Sequence, residues 1–221
     1  ITRNYFRLYA CCNPMHPALD MLKAALAALS PQPDDIERID VATYRFASVM
    51  RNPAPPNFFA SKYSLPHAAA VMAVRGNLKH ATVDDTALRD PAIAALRQRV
   101  HVTEDAAMSA VAPRLRPARV TVTLKDGRTF VSMGTAYGDG CYRDDSGNEY
   151  GVDAGLIGCI LRDEIDESVK GNDADGLGHV HEFSGPFTCY SKNGVLYFGD
   201  VVIDTSGYYD EPEEEYQDEE D

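Results

Sequence analysis

The pattern of apolar and polar positions changes character part-way along the chain. Residues 18–29 (ALDMLKAALAAL) place apolar side chains at helical spacing among strong helix formers, which predicts a helix. Pro17 suits its first turn, and SPQPDD ends it. Residues 36–48 (IERIDVATYRFAS) alternate and are rich in β-branched and aromatic side chains, which predicts a strand. After the Pro-rich loop NPAPPN, Ser64 is placed to cap a helix through LPHAAAVMAV that Gly76-Asn77 closes. Thr82-Val83-Asp84-Asp85 opens a short helix, Asp90-Pro91 caps another through IAALRQRV, and residues 101–104 read as a strand. Residues 119–124 and 128–133 flank Lys125-Asp126-Gly127, a hairpin signal.

Beyond residue 134 the runs become short and rich in Gly, Asp and aromatics: GCYRD, EYGVDA, LIGCIL, FTCYS, VLYFG and VVIDT. Asp145-Ser146-Gly147-Asn148 and Lys192-Asn193-Gly194 have turn composition, and residues 167–178 form a polar loop. The expected fold is α+β. A domain over residues 1–133 is followed by a small antiparallel β unit over 134–207 and an acidic, disordered tail over 208–221.

Charge sharpens the division. Residues 1–133 hold 17 Lys and Arg against 11 Asp and Glu, whereas residues 134–221 hold 4 against 23. Nine of the twelve residues from Asp210 onward are acidic, and such a run repels itself and cannot bury a core. That argues against a nucleic-acid partner for the second half, and the mild positive excess of the first suits an anionic ligand. No apolar run approaches the roughly 20 residues that cross a bilayer, so no membrane partner is expected. Five cysteines without CxxC spacing read as reduced thiols in a cytoplasmic protein. The opening Ile1 suggests a processed or excised segment.

Residues 7–17 (Arg-Leu-Tyr-Ala-Cys-Cys-Asn-Pro-Met-His-Pro) resemble the Lys-Pro-Tyr-Pro-Cys-Cys-x-x-x-His-Pro segment of the MmgE/PrpD family. That family includes 2-methylcitrate dehydratase, cis-aconitate decarboxylase and iminodisuccinate epimerase. Three further stretches follow in the family's order: Ser61-Lys62-Tyr63-Ser64-Leu65-Pro66-His67-Ala68, Asp90-Pro91 with its helix, and residues 117–128 (PARVTVTLKDGR). The resemblance is to the family's C-terminal domain and covers residues 1–133; the family's large helical N-terminal domain has no counterpart here, and residues 134–221 resemble nothing recognised.

The resemblance implies a lyase or isomerase part (dehydratase, decarboxylase or epimerase) that works without cofactor on a di- or tricarboxylate. It also implies inactivity without a helical domain, which a partner would supply in trans, and assembly as a homodimer. Such reactions move a proton beside a carboxylate and need a near-neutral acid or base with fixed cations. His16 matches the family's histidine and is the candidate catalytic residue; its alternative role is to cap the helix that follows. Arg7 stands where the family has Lys and can clamp a carboxylate, but it cannot release its proton. Lys62, Tyr63 and Ser64 are candidate substrate contacts, Ser64 being equally well explained as an N-cap. His67 reads as a packed or surface histidine, and Cys11 and Cys12 as small buried residues.

In the second half, His179 and His181 would share one face of a strand and are weak metal candidates, with Asp153 or Cys159 as a further ligand. Asp173 opens no calcium loop, because the position eleven residues on is Ser184. Two rival readings remain: a non-catalytic interaction module whose acidic half binds a basic partner, and a composite fusion.

Overall fold

The structure is a computed structural model that describes residues 8–136, 138, 140–152, 155–165 and 178–207. Arg7, Asp153, residues 167–177 of the expected polar loop with Asp173, and the acidic tail lie outside the described residues. The architecture is α+β.

Helix α1 (His16–Leu29) begins straight after a 3-10 turn (Asn13–Met15), and Pro14 and Pro17 fix the backbone in the first turn of each. Its apolar stripe, including Leu19, Leu22 and Leu29, is fully buried against the sheet. Strand β1 (Ile36–Thr43) follows, shorter than the expected 36–48, because the chain turns into helix α2 (Arg45–Ser48). The ladders on both sides of β1 stop at Thr43, whose hydroxyl donates to the Pro117 carbonyl at 3.0 Å. With no strand left to pair, residues 44–48 satisfy their own backbone: the Ser48 N–H donates to the Tyr44 carbonyl at 3.0 Å.

Helix α3 (Phe58–Ser61) leads into α4 (Leu65–Arg75). The Ser64 hydroxyl caps α4 by accepting from the His67 N–H, and Gly76, in the left-handed region at φ 71°, ends it. Asp84, Asp90 and Asp105 cap α5 (Asp85–Arg89), α6 (Pro91–Leu96) and α7 (Ala106–Val111) in the same way. Between the last two lies β2 (Val100–Glu104), parallel to β1.

Strands β3 (Ala118–Leu124) and β4 (Thr129–Gly134) form the expected hairpin. Then come β5 (Gly140–Arg143), β6 (Glu149–Val152) and β7 (Leu156–Ile160), followed by β8 (Cys189–Lys192), β9 (Val195–Phe198) and β10 (Val201–Asp204). Asn193 and Gly194 both have positive φ, 52° and 85°, as a two-residue hairpin turn between β8 and β9 requires.

Strand β7 lies beyond the expected junction yet completes the large sheet, whose order is β2-β1-β3-β4-β7. It pairs antiparallel with β4, Gly134 opposite Leu156 and Phe130 opposite Ile160. The period-two alternation of β7 sends its side chains to two cores. Leu156 and Ile160 pack with the first core beneath α1 and α4, whereas Ile157 and Cys159 join a second core. That second core holds Met133 of β4 with Tyr142, Leu196, Phe198 and Ile203 of the small hairpins. The β5–β6 pair and the β8–β9–β10 sheet thus share a core with the outer edge of the five-stranded sheet.

Candidate functional site

Two stretches cross near the start of α1. The Ala10 N–H donates to the Leu78 carbonyl and the Cys12 N–H to the Lys62 carbonyl, each at 2.9 Å. The Lys62 ammonium returns a bond to the Ala10 carbonyl at 3.3 Å and stands 4.3 Å from the centre of the Phe58 ring. These contacts pin residues 9–12 beside the turn before α4 and the turn after it. Between them opens a cleft of about 480 Å³ lined by Tyr9, Cys12, Phe59, Lys62, Tyr63, Lys79 and His80, with Leu8, Ala10 and Cys11.

His16 does not line this cleft. It is buried at the head of α1, its ring edge-on to that of Tyr9 with 5.2 Å between centres. Tyr9 stands between His16 and the open space, and its hydroxyl donates to Asp20 Oδ1 at 2.5 Å. Burial first, and then the hydrogen bond and negative charge of Asp20, push the Tyr9 phenol up, so it holds its proton across the neutral range. The arrangement is a chain, Asp20 to Tyr9 to the His16 ring, whose middle member faces the cleft.

Lys62 and Tyr63 sit together on the cleft wall, Tyr63 half-exposed and tilted against Phe59 at 5.4 Å. Ser64 is turned inward and fully buried. Its hydroxyl donates to the Asn52 carbonyl at 2.5 Å and accepts from the His67 N–H at 3.1 Å, so both its roles are structural. His67 is packed: Arg97 donates to its Nδ1 at 3.4 Å, and burial followed by the charges of Arg97 and Arg75 depresses its pKa to about 4. The cleft carries a cation on each of the turns that flank α4, Lys62 before it and Lys79 after it, with His80 next to Lys79.

The comparison that bears on this geometry is with protein families. A family model, the MmgE/PrpD C-terminal domain, matches residues 9–149, well over half of the chain. The chain belongs to the MmgE/PrpD family. No curated protein matches it. The matched span begins at Tyr9 and runs past residue 134 through the first strand of the β5–β6 hairpin to the start of the second, so the MmgE/PrpD domain takes in the cleft, the helices and four strands of the large sheet.

Four of the MmgE/PrpD cleft residues carry no site signal in the sequence. Tyr9 and Cys12 lie inside the recognised segment without an assigned chemical role. Lys79 and His80 follow the Gly76-Asn77 helix stop, a position with no motif. Asp20, which anchors Tyr9 from behind, lies four residues after His16, the spacing that stacks two side chains on one helix face and so a signal that the sequence does contain.

The second-half histidines are placed differently from the expectation. Residues 178–183 form no strand, so the alternation that would align His179 with His181 is absent. His179 Nε2 lies 2.6 Å from the Glu149 carbonyl and must donate to it. His181 Nε2 lies 2.8 Å from the Tyr150 hydroxyl, which itself donates to Asp144 Oδ2 at 3.1 Å. Asp144 is buried and also accepts from the backbone of Ser146 and Asn148 and from the Asn148 side chain. Burial alone would raise its pKa, but these bonds outweigh it and hold the carboxylate ionised. This cluster builds the Asp145-Ser146-Gly147-Asn148 turn. Among the described residues, no three His, Cys, Asp or Glu side chains gather as a metal site, and no helix is long and apolar enough to cross a membrane.

Proposed function

We propose that the cleft between residues 8–12, 59–63 and 79–80 is the carboxylate-binding part of a cofactor-independent lyase or epimerase, with a di- or tricarboxylate as substrate. The observation that carries this reading is the pair of cations, Lys62 and Lys79, set with His80 around Tyr9, behind which His16 is buried. A volume of about 480 Å³ suits a small polyacid, since ligand pockets run from about 300 to 1,000 Å³. Lys62 uses one of its three N–H donors on the Ala10 carbonyl and directs others to a carboxylate. Tyr9, held protonated by Asp20, donates nothing further but fixes the rim and the His16 ring. His16, in ring contact with Tyr9, supplies the proton-transfer group.

The rim itself is apolar and open: Leu8 and Phe59 are each 71% exposed. A helical domain packing there would exclude water from the cleft and strengthen its electrostatics. Residues 1–221 assayed by themselves should therefore turn over less substrate than they do with such a domain added.

The test has two parts. Calorimetric titration of the full chain with citrate and cis-aconitate should show binding that Lys62→Met weakens by roughly tenfold, the worth of one charge-assisted hydrogen bond. Turnover of cis-aconitate, 2-methylcitrate or iminodisuccinate with a helical domain added in trans should vanish in His16→Ala. Equal affinity in Lys62→Met and wild type would sink the assignment of the cleft.

A further inference from the structure

Two cysteines from separate sheets meet in the second core. Cys159 lies on β7, opposite Val131 of the large sheet, and Cys189 lies on β8, opposite Phe198 of the small one. Both are half-buried, both pack against the second core, and their sulfurs are 3.7 Å apart, in hydrogen-bond contact. A disulfide bond is about 2.05 Å long, so the two sulfurs need to close by less than about 2 Å to bond. We propose that Cys159 and Cys189 are a reversible oxidation site, closed to a disulfide by a hydroperoxide and opened by a dithiol, that staples the five-stranded sheet to the three-stranded one.

The two thiols have unequal roles. The hydrogen bond shared with Cys159 and the positive charge of Arg119 pull the Cys189 thiol down despite its burial. The same contact and burial push Cys159 up. We assign the attacking role to Cys189, whose thiolate the Arg119 charge favours, and the resolving role to Cys159. In the first step the Cys189 sulfur takes the terminal oxygen of the hydroperoxide and the O–O bond breaks. The alkoxide that leaves picks up the proton Cys189 had released and departs as alcohol, leaving Cys189 as a sulfenic acid. In the second step the Cys159 sulfur attacks Cys189 Sγ and expels hydroxide, which takes the Cys159 proton and leaves as water. Two thiols lose two electrons in total, and the hydroperoxide is reduced to alcohol and water.

The other cysteines are not placed for this reaction. Cys11 is buried in the first core with Cys12 packed against it, and Cys141 lies on β5.

The experiment uses the full chain and tert-butyl hydroperoxide. After oxidation, denaturation and alkylation with iodoacetamide, intact mass should show two fewer alkyl groups than the five of the reduced chain. Peptide mapping should recover a Cys159–Cys189 link, and dithiothreitol should restore all five. Cys159→Ser should stop at a sulfenic acid on Cys189, trapped as its dimedone adduct. Five alkyl groups after oxidant, a bridge to any other cysteine, or dimedone on a residue other than Cys189 would each overturn the proposal. The wild-type mass and peptide map decide the matter even if the serine variant fails to fold.

Discussion

His67 occupies the third position of α4, inside the recognised Ser-Leu-Pro segment, yet it carries structure rather than chemistry. Its Nδ1 is the acceptor for Arg97, and burial beside two guanidinium groups keeps the ring neutral, with its pKa lowered from 6.5 to about 4. The unfolded chain takes up a proton near pH 6.5 that the folded chain refuses until about pH 4. His67 thus favours the fold fully above pH 6.5, and that contribution is lost as the pH falls toward 4. At pH 4.5 the loss is about 2–3 kcal/mol. His67→Gln keeps an acceptor for Arg97 and should flatten this acid limb, measured as urea unfolding free energies at pH 7 and 4.5; parallel losses in both proteins would count against it. At this scale the sequence is informative where one residue acts on its own neighbours in the chain. Ser64 capping α4 and Gly76 closing it follow from local spacing alone. The meeting of Lys62 with the Ala10 carbonyl depends on how distant turns cross, and no local pattern encodes it.

Strands and helices show the same limit in another form. Apolar alternation through residues 36–48 predicts extended structure to Ser48, but a strand lasts only as long as its neighbours, and both ladders stop at Thr43. Helix α7 is missed because AAMSAV is short, although Asp105 before it accepts from the Ala107 and Met108 N–H groups as an N-cap does. Packing between β4 and β7 is tight at Gly158. A Cβ there would sit 2.5 Å from Phe130 Cζ and 2.9 Å from the Val131 carbonyl oxygen. The ring could swing away but the carbonyl belongs to the ladder. Gly158→Ala should therefore cost about 1–3 kcal/mol in chemical denaturation, with wild-type stability as the outcome that refutes the contact. Substituting Gly151, which has nothing within 4 Å of its notional Cβ, provides the matched control.

For the molecule as a whole, the change of composition near residue 134 is plain in the sequence, but composition does not reveal who pairs with whom. The junction falls at the end of a strand ladder in which Gly134 faces Leu156, and the family match itself continues to residue 149. The short run LIGCIL lies in the expected β unit and is a strand, but its composition leaves its partner open, since faces are local and partners are not. A chain nicked by protease in the exposed turn at 145–147 should consequently migrate as one body in size exclusion, held by the β4–β7 ladder and the second core. Separation of the fragments without denaturant would show that these contacts are weaker than the geometry implies. A chain ending at Gly134 should aggregate, because β4 would become a bare edge beside the uncovered Met133.

The placement of Gly134 opposite Leu156 also offers a route to a smaller protein. Facing residues in an antiparallel pair have Cα atoms about 4.5–5.5 Å apart, a gap that an Asn-Gly turn spans. Splicing such a turn in place of residues 135–155 and stopping after the short 3-10 turn at Arg162–Glu164 would retain every strand of the large sheet. Polar replacements at Met133, Ile157 and Cys159 would then suit the newly wetted face, giving a miniature carrier of the cleft for crystallography or directed evolution.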